Sequence, residues 1–174
     1  MENDLEMIMN WRMSEKITRY MKTNPKLTLE GQRKWFASIE KNEKVRYWII
    51  EVDSIPAGVI NLEDIDKNNG NTSWGYYIAE EKMRSLLLAV SLEMSLYDYC
   101  FDVLGLKEVH NEVFKLNVGV WRLHVACGCK ILKEVPNEIE KEGVQYDVVH
   151  VSIEREAWFR LRRAQNYEKI SFDV

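Results

Sequence analysis

Asn117 and His124 stand seven residues apart, about two helical turns, so both side chains lie near one face of an α-helix. Asn117 brings a free amide and a helix-opening position. His124 brings an imidazole, a common proton carrier in catalysis. The helix predicted to carry them, 117–127, follows a β-rich segment, Glu108-Val109-His110-Asn111-Glu112-Val113-Phe114, and precedes a return strand that starts after Gly128. A polar pair on a capped helix between two strands places proton chemistry at a strand end and marks the chain as a candidate enzyme.

The rest of the chain supplies the frame. Residues 4–22 read as helical, with Trp11-Arg12-Met13 breaking the pattern, and Thr28 caps a helix to about Lys41 with Trp35, Phe36 and Ile39 as its buried face. Strands are predicted at 46–52, 57–65 and 72–78, joined by a tight turn at Asp53-Ser54 and by the Asn69-Gly70 hairpin signal. Gly75 inside the third run signals a bulge or a close backbone approach. The longest helix, 85–103, carries Leu86, Val90, Met94, Tyr97 and Phe101 as one stripe and stops at Gly105. Strands at 130–135 and 145–153 flank a loop from Pro136 to Gly143. A helical segment from Glu154 to about Asn166 then packs back through Trp158 and Leu161. This order predicts an α+β fold with a mixed, mainly antiparallel sheet flanked by helices and a crossover through the long helix.

Length and charge narrow the classes. A chain of 174 residues is expected to form one domain with a single core. A net charge of -4 with both signs mixed throughout lacks the basic stripe that nucleic-acid binding requires. The longest apolar run, Leu86–Val90, is far short of a membrane span, and no basic-then-apolar leader opens the chain. Cys100, Cys127 and Cys129 have no framework spacing, so free buried thiols in a reducing, cytoplasmic setting are expected and no metal site is.

With these residues in this order, the chain resembles the GNAT superfamily of N-acetyltransferases from about residue 3 to 158, which sets a domain at 1–158 and a C-terminal tail at 159–174, helical at its start. Within it, the chain is similar to the N-acetyltransferases of pseudaminic acid biosynthesis, which acetylate a UDP-linked 4-amino-4,6-dideoxy sugar. That likeness lies in Trp11-Arg12, Tyr20-Met21-Lys22-Thr23, Arg46-Tyr47, Gly58-Val59-Ile60, Trp74-Gly75-Tyr76-Tyr77, Asn117…Arg122-Leu123-His124…Gly128 and Tyr146-Asp147-Val148-Val149. The family's usual first strand is missing or shortened here.

The resemblance implies acetyl-CoA as cosubstrate and a small amine acceptor, with no metal, nucleic-acid or membrane partner and with a homodimer left open. The pyrophosphate cradle would fall on Arg84-Ser85-Leu86-Leu87-Leu88-Ala89, where Leu87 replaces the family's central glycine. Ile78 would present a backbone N–H to the thioester oxygen, and Asn117 would touch the CoA arm. His124 occupies the position of the family's tyrosine and would protonate the departing thiolate. Of the acidic pair Glu63-Asp64 only one faces the site, and Tyr76-Tyr77 divide likewise; Glu63 with Tyr77 is the expected pair, Glu63 serving the amine as base. Trp11, Arg12, Tyr20, Met21 and Tyr47 would form the acceptor pocket, with aromatic faces for a uracil and an arginine fork for phosphate. The competing expectations are a protein N-terminus or a polyamine as acceptor, or a non-catalytic binding domain whose cradle Leu87 has closed.

Overall fold

The computed structural model describes residues 2–173. Helices α1 (Leu5–Met13), α2 (Glu15–Thr18) and α3 (Leu29–Ile39) precede the sheet. Trp11-Arg12-Met13, expected to break the helix, lie within α1; the break falls instead at Ser14, whose backbone is extended between α1 and α2 and whose hydroxyl donates to the Trp11 carbonyl. Thr28 caps α3, its Oγ1 accepting from the Gly31 N–H at 3.1 Å. Trp35, Phe36 and Ile39 are only half-buried, because they line a cavity between α1, α3 and the first strand instead of entering the core.

Six strands, β1 (Arg46–Val52), β2 (Ile55–Asp66), β3 (Asn71–Ile78), β4 (Glu108–Phe114), β5 (Lys130–Lys141) and β6 (Val144–Glu154), form one sheet in the order β1-β2-β3-β4-β6-β5. Every neighbouring pair is antiparallel except β3–β4, which is parallel. A parallel pair needs a crossover, and α4 (Leu86–Asp98), extended by a π-helical turn over Tyr99–Val103, supplies it. The β3–β4 pairing covers only Asn71↔Glu108, Thr72↔Val109 and Ser73↔His110. Beyond those residues the two strands part, and this opening is what the rest of the fold serves.

Four local expectations are corrected. The bulge is not at Gly75: β3 keeps its register with β2 from Ser73 to Ile78, and the irregularity lies in β2 at Asp64, which takes φ 53°. The loop expected over 136–143 is mostly strand. β5 is the sheet edge and runs to Lys141, and Pro136 and Asn137 sit in a bulge where proline's missing N–H costs no ladder bond. The α4 stripe is instead a solid buried run from Ser91 to Tyr97, while Leu86 is exposed. The reason is a second layer over α4. Helix α6 (Arg155–Leu161) and the following tail cover it, with Tyr167 donating to Asp98 at 2.5 Å and the Ile170 N–H donating to Ser95 Oγ at 2.9 Å. Lastly, Asn117 opens α5 (Val118–Ala126) without a side-chain cap bond.

Candidate active site

A cleft of about 1090 Å³ occupies the opening between β3 and β4 and continues beneath α1 and α2. The β2–β3 register sorts its walls. Glu63, Asn61 and Val59 pair with Ser73, Gly75 and Tyr77, so these six share the face toward α1–α3. Trp74, Tyr76 and Ile78 alternate to the face covered by α4 and α5.

The same register orients the backbone. The Ala79 N–H donates to the Ala57 carbonyl at 2.7 Å. Alternation then makes Ile78↔Gly58 a non-hydrogen-bonded couple whose polar groups point away from β2. The Ile78 carbonyl on that side accepts from Arg84 Nε at 2.8 Å. Its N–H points the same way, into the space that β4 has left. Trp74 Nε1, buried and without a partner, lines this cleft too. Close approach is a feature of this wall: a Cβ on Gly58 would lie 2.0 Å from the Tyr77 carbonyl oxygen and 2.9 Å from Ile78 Cα.

At the mouth, Ser85 caps α4 by accepting from the Leu88 N–H at 3.1 Å. The N–H groups of Leu86 and Leu87, the first of the helix, have no intrahelical acceptor and form an anion-binding end. Leu86 and Leu87 are 72% and 64% exposed, so neither serves the core. Ser85, Leu86 and Ala89 border the cleft, whereas Leu87 borders the cavity on the β1 side; Leu88 packs against the core. The Leu87 side chain is thus turned off the cleft. We expect Leu87→Ala to leave the CoA dissociation constant within about twofold by calorimetry; a tenfold tightening would show that Leu87 crowds the cradle. Arg84 braces the Ile78 carbonyl and stands 4.0 Å from Glu81, so its charge is partly committed within the protein.

His124 lines the opposite wall, 1% exposed, beside Trp74 at a ring separation of 4.8 Å. Its Nδ1 lies 2.9 Å from Glu93 Oε2 and its Nε2 3.5 Å from Asn111 Nδ2. Glu93, fully buried on α4, also accepts from the Tyr97 hydroxyl at 2.5 Å, and that hydroxyl lies 3.1 Å from Cys129 Sγ. Burial first, then the charge of Glu93, pushes the Tyr97 phenol well above its ordinary pKa, so it stays a neutral donor. Asn117 borders the same cleft as His124.

Of the residues expected to meet the acceptor, Arg12, Tyr20, Met21 and Tyr47 line the cleft, as do Glu63 and Tyr77. Trp11 does not. Its indole donates to Glu80 at 3.3 Å, because a neighbour on a helix is turned about 100° from Arg12. Arg12 donates to Thr23 Oγ1 at 2.7 Å, and desolvation lowers its pKa against the opposing influence of Tyr77. Burial pushes the Tyr77 phenol up to about 12, with Arg12 acting against it. Tyr47 donates to Glu63, so that carboxylate is already engaged, while Asp64 beside it also lines the cleft. The three cysteines are free and buried.

Sequence reasoning missed Glu93, Asn111 and the close approach at Gly58. A lone acid in the apolar run Leu92-Glu93-Met94 was the one available signal for the first. Nothing local announced the other two.

A parting parallel strand pair, a backbone N–H turned into the gap and a helix end with free amides thus meet along one cleft. A family model described as the acetyltransferase (GNAT) domain matches residues 1–130. The chain belongs to that family and is a GNAT N-acetyltransferase. It is 26% identical over 127 residues, 72% of this chain and 71% of the other, to the SPbeta prophage-derived uncharacterized N-acetyltransferase YokL of Bacillus subtilis (strain 168). Among solved structures, spermidine N-acetyltransferase from Vibrio cholerae in complex with CoA and spermine superposes with a TM-score of 0.84 at 18% identity, covering 90% of this chain and 93% of that one. Mutant forms of the spermidine/spermine N-acetyltransferase SpeG from the same organism give 0.79 at 20% identity, over 95% of this chain and 96% of that one. These structural likenesses carry the six-strand fold, and no helix among the described residues is long and apolar enough to cross a membrane.

Proposed function

We propose that this enzyme transfers the acetyl group of acetyl-CoA to a primary amine of a small polyamine-like cation. The observation that carries the donor half is the three-couple β3–β4 pairing, which leaves the Ile78 N–H free beside the helix end of Leu86 and Leu87. That N–H would stabilise the developing oxyanion, and such a donor is worth about 10²–10³ in rate. Bound acetyl-CoA supplies the thioester; Ser85, Leu86, Leu87 and Ala89 would hold its pyrophosphate, and Asn117 its arm.

For the acceptor, Glu63 and Asp64 offer negative charge where a second ammonium group can lie while the first reaches the opening. The spermidine acetyltransferases that share the fold support this choice. The test is an acetylation assay with spermidine, spermine, UDP-linked 4-amino sugars and N-terminal peptides. Spermidine is expected to be the best acceptor, with Asp64→Asn raising its KM about two- to fivefold as one exposed charge contact is lost. Equal activity on peptides and polyamines would overturn the polyamine assignment.

One observation favours a second reading. Arg12 reaches the cleft with both of its terminal nitrogens donating to Thr23, and its remaining N–H groups would serve an anion such as the diphosphate of a nucleotide-linked amino sugar. Under that reading Arg12→Ala weakens the acceptor and leaves acetyl-CoA affinity unchanged.

A further inference from the structure

We infer that Glu93 and Asn111 are positioning residues that fix His124 with Nδ1 protonated and Nε2 bare, so that the ring begins the reaction as a base. The inference rests on the acetyl-transfer reading above.

The tautomer follows from bonds made at both ends of the ring. Asn111 Oδ1 accepts the Glu112 backbone N–H at 2.7 Å. A backbone N–H can only donate, so this bond fixes which end of the amide is which and aims Nδ2, a donor, at His124 Nε2. At the other end Glu93 presents Oε2 to Nδ1 at 2.9 Å. Its second oxygen is already filled by the Tyr97 hydroxyl. A fully buried carboxylate is tolerated when donors meet its oxygens, and the Nδ1–H is the donor that completes this one. Donor toward Nε2 and acceptor toward Nδ1 select the same tautomer independently. The Trp74 indole on β3 stands 4.8 Å from the ring, and the Cys129 thiol lies 3.1 Å from the Tyr97 hydroxyl.

This arrangement changes the order of proton transfer. Acting as an acid from the start would require a proton on Nε2, where the amide of Asn111 already points one. With Nε2 bare, the neutral amine bonds to the thioester carbon, and its nitrogen, directly or through one water, gives up a proton to Nε2, which releases the long 3.5 Å contact from the Asn111 amide as it takes that proton. The imidazolium so formed lies against the Glu93 carboxylate. As the carbon–sulfur bond breaks, the electron pair stays on sulfur, and Nε2 returns the proton to the thiolate. One N–C bond forms, one C–S bond breaks, and the ring ends as it began. Glu93 touches neither substrate and acts only through the ring, as the buried aspartate of a serine-protease triad does.

The experiment is histidine ¹⁵N NMR on the full chain, with His124 assigned against His124→Asn, combined with kinetics of Glu93→Gln. The wild-type His124 should show a protonated Nδ1 and a lone-pair Nε2 at neutral pH. In Glu93→Gln the Tyr97 hydroxyl claims the amide oxygen and the amide nitrogen faces Nδ1, so the tautomer should switch. For the best amine of the panel, kcat should then fall about 100-fold with the KM for acetyl-CoA unchanged. An Nε2–H tautomer in the wild type, or unchanged kcat in a folded Glu93→Gln protein, overturns the inference while acetyl transfer stands. Failure of the wild type to acetylate any amine overturns the transfer reading instead, and the wild-type tautomer still decides this one.

Discussion

Replacing His124 with asparagine is expected to lower kcat by about 10²–10⁴ while leaving the acetyl-CoA dissociation constant unchanged. Asparagine is chosen because its Nδ2 falls near the place of the histidine Nδ1 and can still donate to Glu93 Oε2. The buried carboxylate then keeps both partners, Tyr97 and residue 124, and stability should change by no more than about 1 kcal/mol. What is lost is Nε2, the ring nitrogen that faces Asn111. Alanine is the instructive contrast. It strips one donor from a carboxylate that is 0% exposed, and breaking a buried pair in this way costs about 3–5 kcal/mol, or roughly 10 °C in melting temperature for a chain of this size. Single-turnover acetylation by the asparagine variant at the wild-type rate would remove His124 from the chemistry.

Gly58→Ala is expected to cost about 1–3 kcal/mol of stability and about 10²-fold in kcat. Both effects have one cause. The new methyl would meet the Tyr77 carbonyl oxygen at 2.0 Å and Ile78 Cα at 2.9 Å, and these are backbone atoms that no rotamer change can move aside. β3 must shift where its Ile78 N–H faces the opening. Gly75→Ala is the control. Its Cβ would find Asn61 Oδ1 at 3.5 Å, an ordinary contact, so activity and melting temperature should stay near the wild type. Equal losses in the two variants would mean that β3 tolerates neither methyl and that the position of the Ile78 N–H is not the issue. Thermal melts and steady-state kinetics on both proteins decide the matter.

The elements themselves were legible in the chain. The β-formers of 46–52, 72–78 and 108–114 became β1, β3 and β4, the Thr28 cap opened α3, and the Asp53-Ser54 turn adopted positive φ at both residues. These are properties of local patterns, set by side-chain alternation and by which residues tolerate a given backbone angle. Asn117 and His124, placed two turns apart, do border one cleft. Less was legible where an outcome depends on what packs from afar. The α4 stripe failed because the tail, some seventy residues later, adds a second buried face. Trp11 and Arg12 parted because only one can face the acceptor side.

The sequence by itself determined the order of helices and strands, the family and the identity of the titratable ring, because hydrophobic period, turn chemistry and motif spacing are all written within a few residues of one another. Only the tertiary structure decided that Leu87 turns from the cleft, that Gly58 presses on Tyr77, and that Glu93 and Asn111 hold the two nitrogens of His124. The two contacts to His124 join α4, β4 and α5 across separations of thirteen and thirty-one residues. A hydrogen bond's direction depends on where both partners end up in space, and no local pattern carries that information.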